Sequence, residues 1–123
     1  MISHRQIAQE ACEKLSRMDG ISKVLLFGSV ARRDERKDSD IDIAIILDDT
    51  LRGFPLDFEG LPPEVMERGS QIAEETYQKY GIKLDICPFW EDKYKKGIRL
   101  FGDKYLGSDL LNSTGIVMYD VLE

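Results

Sequence analysis

The segment Ile41-Asp42-Ile43-Ala44-Ile45-Ile46-Leu47 constrains the fold more than any other stretch of the chain. Side chains alternate between the two faces of a strand, so Ile41, Ile43, Ile45 and Leu47 share one face, while Asp40, Asp42, Ala44 and Ile46 share the other. Beyond Asp42 both faces are apolar, which predicts an interior strand covered on both sides. Such a strand opens here with Asp40-x-Asp42, two carboxylates presented side by side at its entry end. A polar edge facing water is the plain alternative, and the buried run that follows weighs against it. Paired acids at the mouth of an interior strand invite a counter-cation.

Other elements fall around this strand. Ser3 with Gln6 forms a capping-box pattern, and Ile7, Ala8, Ala11, Cys12, Leu15 and Met18 follow at helical spacing until Asp19-Gly20. Ile21–Phe27 reads as a buried strand broken by Gly28-Ser29, with a short helix over 29–34 and a charged turn over 32–40. Residues 48–61, rich in Asp, Gly, Pro and Phe, predict a loop or lid. Pro62-Pro63 opens a second long helix with apolar positions Val65, Met66, Ile72, Ala73, Tyr77 and Tyr80, stopped by Gly81. A third strand is expected over 82–87. After Pro88 the pattern predicts a helix within 93–112, a turn over 112–115 and a final edge strand over 116–119. Alternating helices and strands imply an α/β domain whose helices cover a sheet, and 123 residues imply one domain spanning 1–123.

Charge and composition remove several classes of function. Lys and Arg number 17 against 23 Asp and Glu, a formal charge of −6. That balance disfavours a protein that holds nucleic acid by phosphate neutralisation. No apolar run approaches the ~20 residues of a membrane helix, and MISHRQIAQE lacks a signal-peptide core. The expectation is a cytoplasmic protein with no membrane association. Cys12 and Cys87 read as reduced core cysteines, with a disulfide as the alternative. A zinc site is disfavoured because His4 is the sole histidine and no CxxC pair exists.

Three features carry chemistry. Gly28-Ser29 at a strand-to-helix junction lets backbone approach a ligand and offers N–H groups suited to phosphate, although Gly-Ser alone is also an ordinary turn. Asp40 and Asp42 form the carboxylate pair. Asp85, between Leu84 and Ile86, projects from a short apolar strand, where a charge is costly unless paired or metal-bound; an edge aspartate facing water or an arginine is equally consistent. Two unit charges about 4 Å apart repel by roughly 4 kcal/mol at an effective dielectric of 20. A cluster of these three acids would therefore attract cations, and an all-oxygen donor set favours Mg²⁺ or Mn²⁺.

Leu26-Phe27-Gly28-Ser29-Val30-Ala31-Arg32 leading to Ser39-Asp40-Ile41-Asp42-Ile43 resembles the Gly-Ser-x10-Asp-x-Asp signature of the DNA polymerase β-like nucleotidyltransferase superfamily. The length resembles its minimal nucleotidyltransferase (MNT) branch, many of whose members pair with HEPN-domain proteins. The resemblance implies a nucleotidyltransferase fold, a mixed β-sheet with helices packed against it. It implies that Gly28 and Ser29 hold the β- and γ-phosphates of a nucleoside triphosphate. Asp40 and Asp42 would bridge two Mg²⁺ ions, and Asp85 would complete the ion beside the attacking hydroxyl. For this branch it implies ATP as donor and an adenylylated acceptor, a tyrosine hydroxyl on a HEPN toxin, with the chain acting as antitoxin. A second copy of the chain is a further candidate partner. One departure stands out: the family commonly carries Ala-Arg-Gly after the serine, and this chain has Ala31-Arg32-Arg33. Arg32 and Arg33 read chiefly as a solvated basic turn beside Asp34 and Glu35.

The rest of the chain has plainer readings. Leu51, Phe54, Leu56, Phe58 and Leu61 predict a loop folded back on the core, with a partner-binding patch as the sharper alternative. Phe89-Trp90 reads as packing, with stacking on a base as the alternative, and Lys93, Lys95 and Lys96 as a solvated face. Besides catalysis, a binding module that neutralises or scaffolds a HEPN partner by contact is the competing function. Nucleic-acid polymerisation is disfavoured by the acidic balance.

Overall fold

The computed structural model describes residues 2–92, 98–100, 104–106 and 116–120. Helix α1 (His4–Ser16) begins with the expected capping box: Gln6 N donates to Ser3 Oγ, and Ser3 N donates to the Gln6 side chain. It buries Ile7, Ala8, Ala11, Cys12 and Leu15, the stripe its spacing predicts. Strand β1 (Ile21–Phe27), the short helix α2 (Gly28–Arg32) and β2 (Ile41–Leu47) follow. A 3-10 turn (Asp49–Gly53) interrupts the loop before α3 (Pro63–Tyr80), which ends at a left-handed Gly81. Then come β3 (Leu84–Trp90), β4 (Ile98–Leu100), β5 (Lys104–Leu106) and β6 (Ile116–Asp120).

The main sheet is mixed, with strand order β3-β2-β1-β6. β1 runs antiparallel to β2 and to β6, whereas β2 and β3 are parallel. A parallel pair requires a long crossover, and α3 supplies it. β2 is thus interior, as its two apolar faces require. Ile41, Ile43, Ile45 and Leu47 pack with Ile7, Leu15 and Ile72 beneath α1 and α3. The opposite face buries Ala44 and Ile46 with Leu25 and Phe89. Charged contacts tie the two long helices together, with Lys79 Nζ 3.1 Å from Glu10 Oε1 and Lys14 Nζ 3.5 Å from Glu75 Oε2.

Several expectations need correction. The third strand starts and ends later than 82–87 and continues through Pro88 to Trp90. β3 is an outer strand of the sheet, where a residue without an N–H is tolerated. Phe89 and Trp90 pack within this strand as buried residues, and Trp90 Nε1 donates to Gly60 O at 3.2 Å. The span 93–112 contains the antiparallel pair β4–β5 where a helix was expected. The turn over 112–115 and Lys93, Lys95 and Lys96 lie outside the described residues. On α3 the buried stripe is Val65, Gly69, Ile72 and Thr76, and Tyr77 is 54% exposed. Thr76 is buried in its place because its hydroxyl donates to Ile72 O at 2.8 Å. In the loop, Leu51 and Leu61 pack on the core as expected, but Phe54 and Phe58 are 66% and 97% exposed.

Candidate active site

Parallel pairing of β2 and β3 creates the candidate site. Both strands enter the sheet from the same end, and Asp42 and Asp85 each hold the second position of their strand. The register therefore sets Asp42 opposite Asp85, on strands roughly 4.8 Å apart. β1 runs the other way, so its last residue, Phe27, pairs with Asp42 and delivers Gly28 to the same corner. Asp40 lies just ahead of β2. Four of the five anticipated residues thus share one corner by backbone placement alone, and Ser29 follows Gly28 at the start of α2.

Gly28 adopts φ +74° and lies directly against Asp42. A Cβ added there would collide with Asp42 Oδ2 and sit 3.0 Å from its Cγ. The glycine is thus needed twice, for a left-handed conformation and for close approach to the carboxylate. α2 is held from behind by α1: Arg5 Nη2 donates to Val30 O and Ala31 O, each at 3.2 Å. Nothing in the sequence pattern flagged Arg5, because its partners lie far along the chain. Arg33, where the family commonly has glycine, takes the left-handed conformation with φ 63°. The turn geometry is kept despite the substitution, at a cost in backbone strain. Arg32 Nε lies 3.3 Å from Asp34 Oδ2, as expected of a solvated basic turn.

The acids of this corner act on one another through their charges. Burial, the charge of Asp85 and the charge of Asp40 together push the Asp42 carboxyl above the usual carboxylate range, opposed by Arg32. The Cys87 thiol is pushed up to about 11, chiefly by burial and further by Asp42 and Asp85. Both cysteines are free. The donor set at this corner is all oxygen and its anionic charge is under-compensated, which suits a hard divalent cation. The side chains as placed do not yet form a cage: among the described residues no group of three or more His, Cys, Asp or Glu is set to hold a metal ion. Asp85 Oδ1 instead lies 3.6 Å from Lys83 Nζ. The sequence left water or an arginine open as the partner of Asp85; the cation beside it is instead a lysine two residues back, on the same face of the extended chain.

A mixed sheet with helices packed against it, entered at one corner by Gly-Ser and by paired aspartates, is the arrangement of a nucleotidyltransferase fold. The family model described as polymerase beta, nucleotidyltransferase, matches residues 9–92, more than half of the sequence, and the chain belongs to that family. No curated protein matches the chain. Among solved structures, a Sulfolobus solfataricus protein described as a nucleotidyltransferase is similar with a TM-score of 0.56 and 18% identity, covering 96% of this chain and 81% of that one. A toxin–antitoxin structure with AMP-PNP matches with a TM-score of 0.51 and 16% identity, over 90% of this chain and 72% of that one. A mutant of the toxin–antitoxin pair MntA–HpeT matches with a TM-score of 0.52 and 15% identity over the same shares, 90% and 72%. At these identities the likeness is one of fold. Among the described residues no helix is long and apolar enough to cross a membrane.

Proposed function

We propose that the domain transfers AMP from ATP to a hydroxyl on a partner protein, a tyrosine of a HEPN toxin, and thereby acts as an antitoxin. The observation that carries this reading is the register of Asp42 opposite Asp85 at the corner where Gly28 arrives. Family membership supports the transferase class. The toxin–antitoxin neighbours support the partner, and the AMP-PNP in one of them supports an adenine nucleotide.

Asp40, Asp42 and Asp85 would hold two Mg²⁺ ions, which supply charge neutralisation at the entering and leaving oxygens. Gly28 and Ser29 would cradle the β- and γ-phosphates through backbone N–H groups and the serine hydroxyl. Asp85 would accept the proton of the acceptor hydroxyl as its oxygen bonds to the α-phosphorus and the bond to pyrophosphate breaks. For this, Asp85 turns away from Lys83. A second reading, neutralisation of the partner by contact alone, draws on that Asp85–Lys83 pair and on the exposed Phe54 and Phe58.

One experiment separates the two. The chain is incubated with α-labelled ATP, Mg²⁺ and a cell lysate, with Asp42→Asn in parallel, and labelled acceptors are identified by mass spectrometry. Transfer predicts label on an acceptor tyrosine that disappears with Asp42→Asn. Equal labelling by the variant, or protection of cells by the variant as good as that of wild type, overturns the catalytic reading.

A further inference from the structure

Gly28 and Ser29 stand on α2, a helix of only five residues. A helix that short does not hold its own geometry in water, so neighbouring elements must impose it. Val30 does part of this by burying its side chain in the core. The chain after the helix also turns back on it: Arg33 N donates to Val30 O at 3.2 Å and Asp34 N to Ser29 O at 3.0 Å. Those bonds are local and travel with the helix. Arg5 is different, because it belongs to α1. Its Nη2 donates to Val30 O and Ala31 O, each at 3.2 Å, one and two residues beyond Ser29.

Arg5 is itself well anchored. Arg5, Ala8 and Cys12 recur at helical spacing, so Arg5 continues the buried stripe of α1 into its first turn, where it is partly buried. The capping box of Ser3 and Gln6 holds that turn. A guanidinium shared between two successive carbonyls fixes a helix in rotation as well as in position, and hydrogen bonds from a cation are the stronger kind. At the other end of α2, Gly28 already abuts Asp42, so the helix has no slack toward the acids. α2 is thus held at its last turn by Arg5 and limited at its first residue by Asp42.

We propose that Arg5 is a positioning residue for the nucleotide. It acts through α2 rather than by contact with phosphate. By holding the last turn of that helix it sets where Gly28 and Ser29 present their donors, and so sets the affinity for a triphosphate. This rests on the reading of the corner as a nucleoside-triphosphate site, and not on the identity of the acceptor.

Arg5→Ala and Arg5→Lys test it with two readouts. The first uses the chain without nucleotide. Amide exchange followed by NMR should show Arg33 and Asp34, whose N–H groups close the α2 turn, exchanging ~10-fold faster in Arg5→Ala, with Ile43 and Ile45 of β2 unchanged. The second is calorimetric titration with Mg²⁺ and a non-hydrolysable ATP analogue. Arg5→Ala should bind the analogue ~10-fold more weakly than wild type, and Arg5→Lys, which keeps a cationic donor, only ~3-fold more weakly. If the alanine variant does not fold, that ~3-fold loss in Arg5→Lys carries the test. Analogue binding by wild type with no loss in the variants overturns this proposal alone. Faster exchange in β2 together with α2, or a lysine variant as weak as the alanine variant, marks a merely structural role and overturns it as well. A wild type that binds no triphosphate overturns the reading of the corner itself, and the proposal with it.

Discussion

Gly28→Ala separates the two demands that the corner makes on this residue. The first demand is conformational: φ is +74°, and a left-handed alanine costs about 1–2 kcal/mol. The second is steric. The new Cβ would overlap Asp42 Oδ2 and lie 3.0 Å from Asp42 Cγ and 3.2 Å from Asp42 Cβ. Relief requires the carboxylate to rotate or the strand to shift, and overpacking of this kind costs a further ~1–3 kcal/mol. The total, about 2–5 kcal/mol, corresponds to a urea midpoint lowered by about 1–3 M at an m-value near 1.5 kcal/mol/M. Gly81→Ala is the control, because Gly81 has φ +71° with nothing within 4 Å of an added Cβ. It should lose only the ~1–2 kcal/mol conformational share. In an Asp42→Ala background the colliding Oδ2 and Cγ are gone, so the excess cost of Gly28→Ala should fall by ~1–3 kcal/mol in a double-mutant cycle. Urea denaturation followed by circular dichroism measures all of these. Equal destabilisation by Gly28→Ala and Gly81→Ala, or an excess that persists without the Asp42 carboxylate, would refute the stated contact.

Further predictions concern the same corner. Arg33→Gly relieves a left-handed arginine and should stabilise the fold by ~0.5–1 kcal/mol, after subtracting the greater chain entropy of glycine; a thermal melt no higher than wild type contradicts the strain. The Asp42 carboxyl is raised by burial, then by Asp85 and Asp40, so the folded state holds its proton more tightly than the unfolded chain does. Its penalty is absent below the unfolded pKa and grows as pH rises through the folded pKa, so the metal-free protein loses stability across that window. Asp42→Asn should remove that loss and so raise the melting temperature at neutral pH, an effect softened because Asp42 is half-buried and screened. Melts at acidic and neutral pH check the sign. Added Mg²⁺ should stabilise the wild type and leave Asp42→Asn unmoved, since binding to the folded state alone raises stability.

The central strand and the helix above it were legible because their residues obey one period each. β2 reads at period two on both faces, and α1 reads at helical spacing behind a side-chain cap. The acids were legible too, since a charge inside an apolar strand stands out. What was hidden was set by tertiary context. Pro88 marked a strand end in the pattern, yet an outer strand absorbs it. Tyr77 counted as apolar, but the buried stripe of α3 runs through Thr76, whose hydroxyl is satisfied within the helix. The hold of Arg5 on Val30 and Ala31 and the contact of Gly28 with Asp42 join segments far apart in sequence, which no local period encodes. The strands in 98–106 are three residues each, too short for alternation to declare them.

The central claim is that Asp40, Asp42 and Asp85 act together on one metal–nucleotide complex. Its most direct test is a crystal structure of the chain soaked with Mn²⁺ and a non-hydrolysable ATP analogue, with anomalous scattering to place the ions. The account predicts manganese peaks between Asp42, Asp40 and an Asp85 carboxylate turned off Lys83, with the triphosphate against Gly28 and Ser29. An Asp85 still paired with Lys83 beside a bound nucleotide, or manganese held elsewhere, would contradict it.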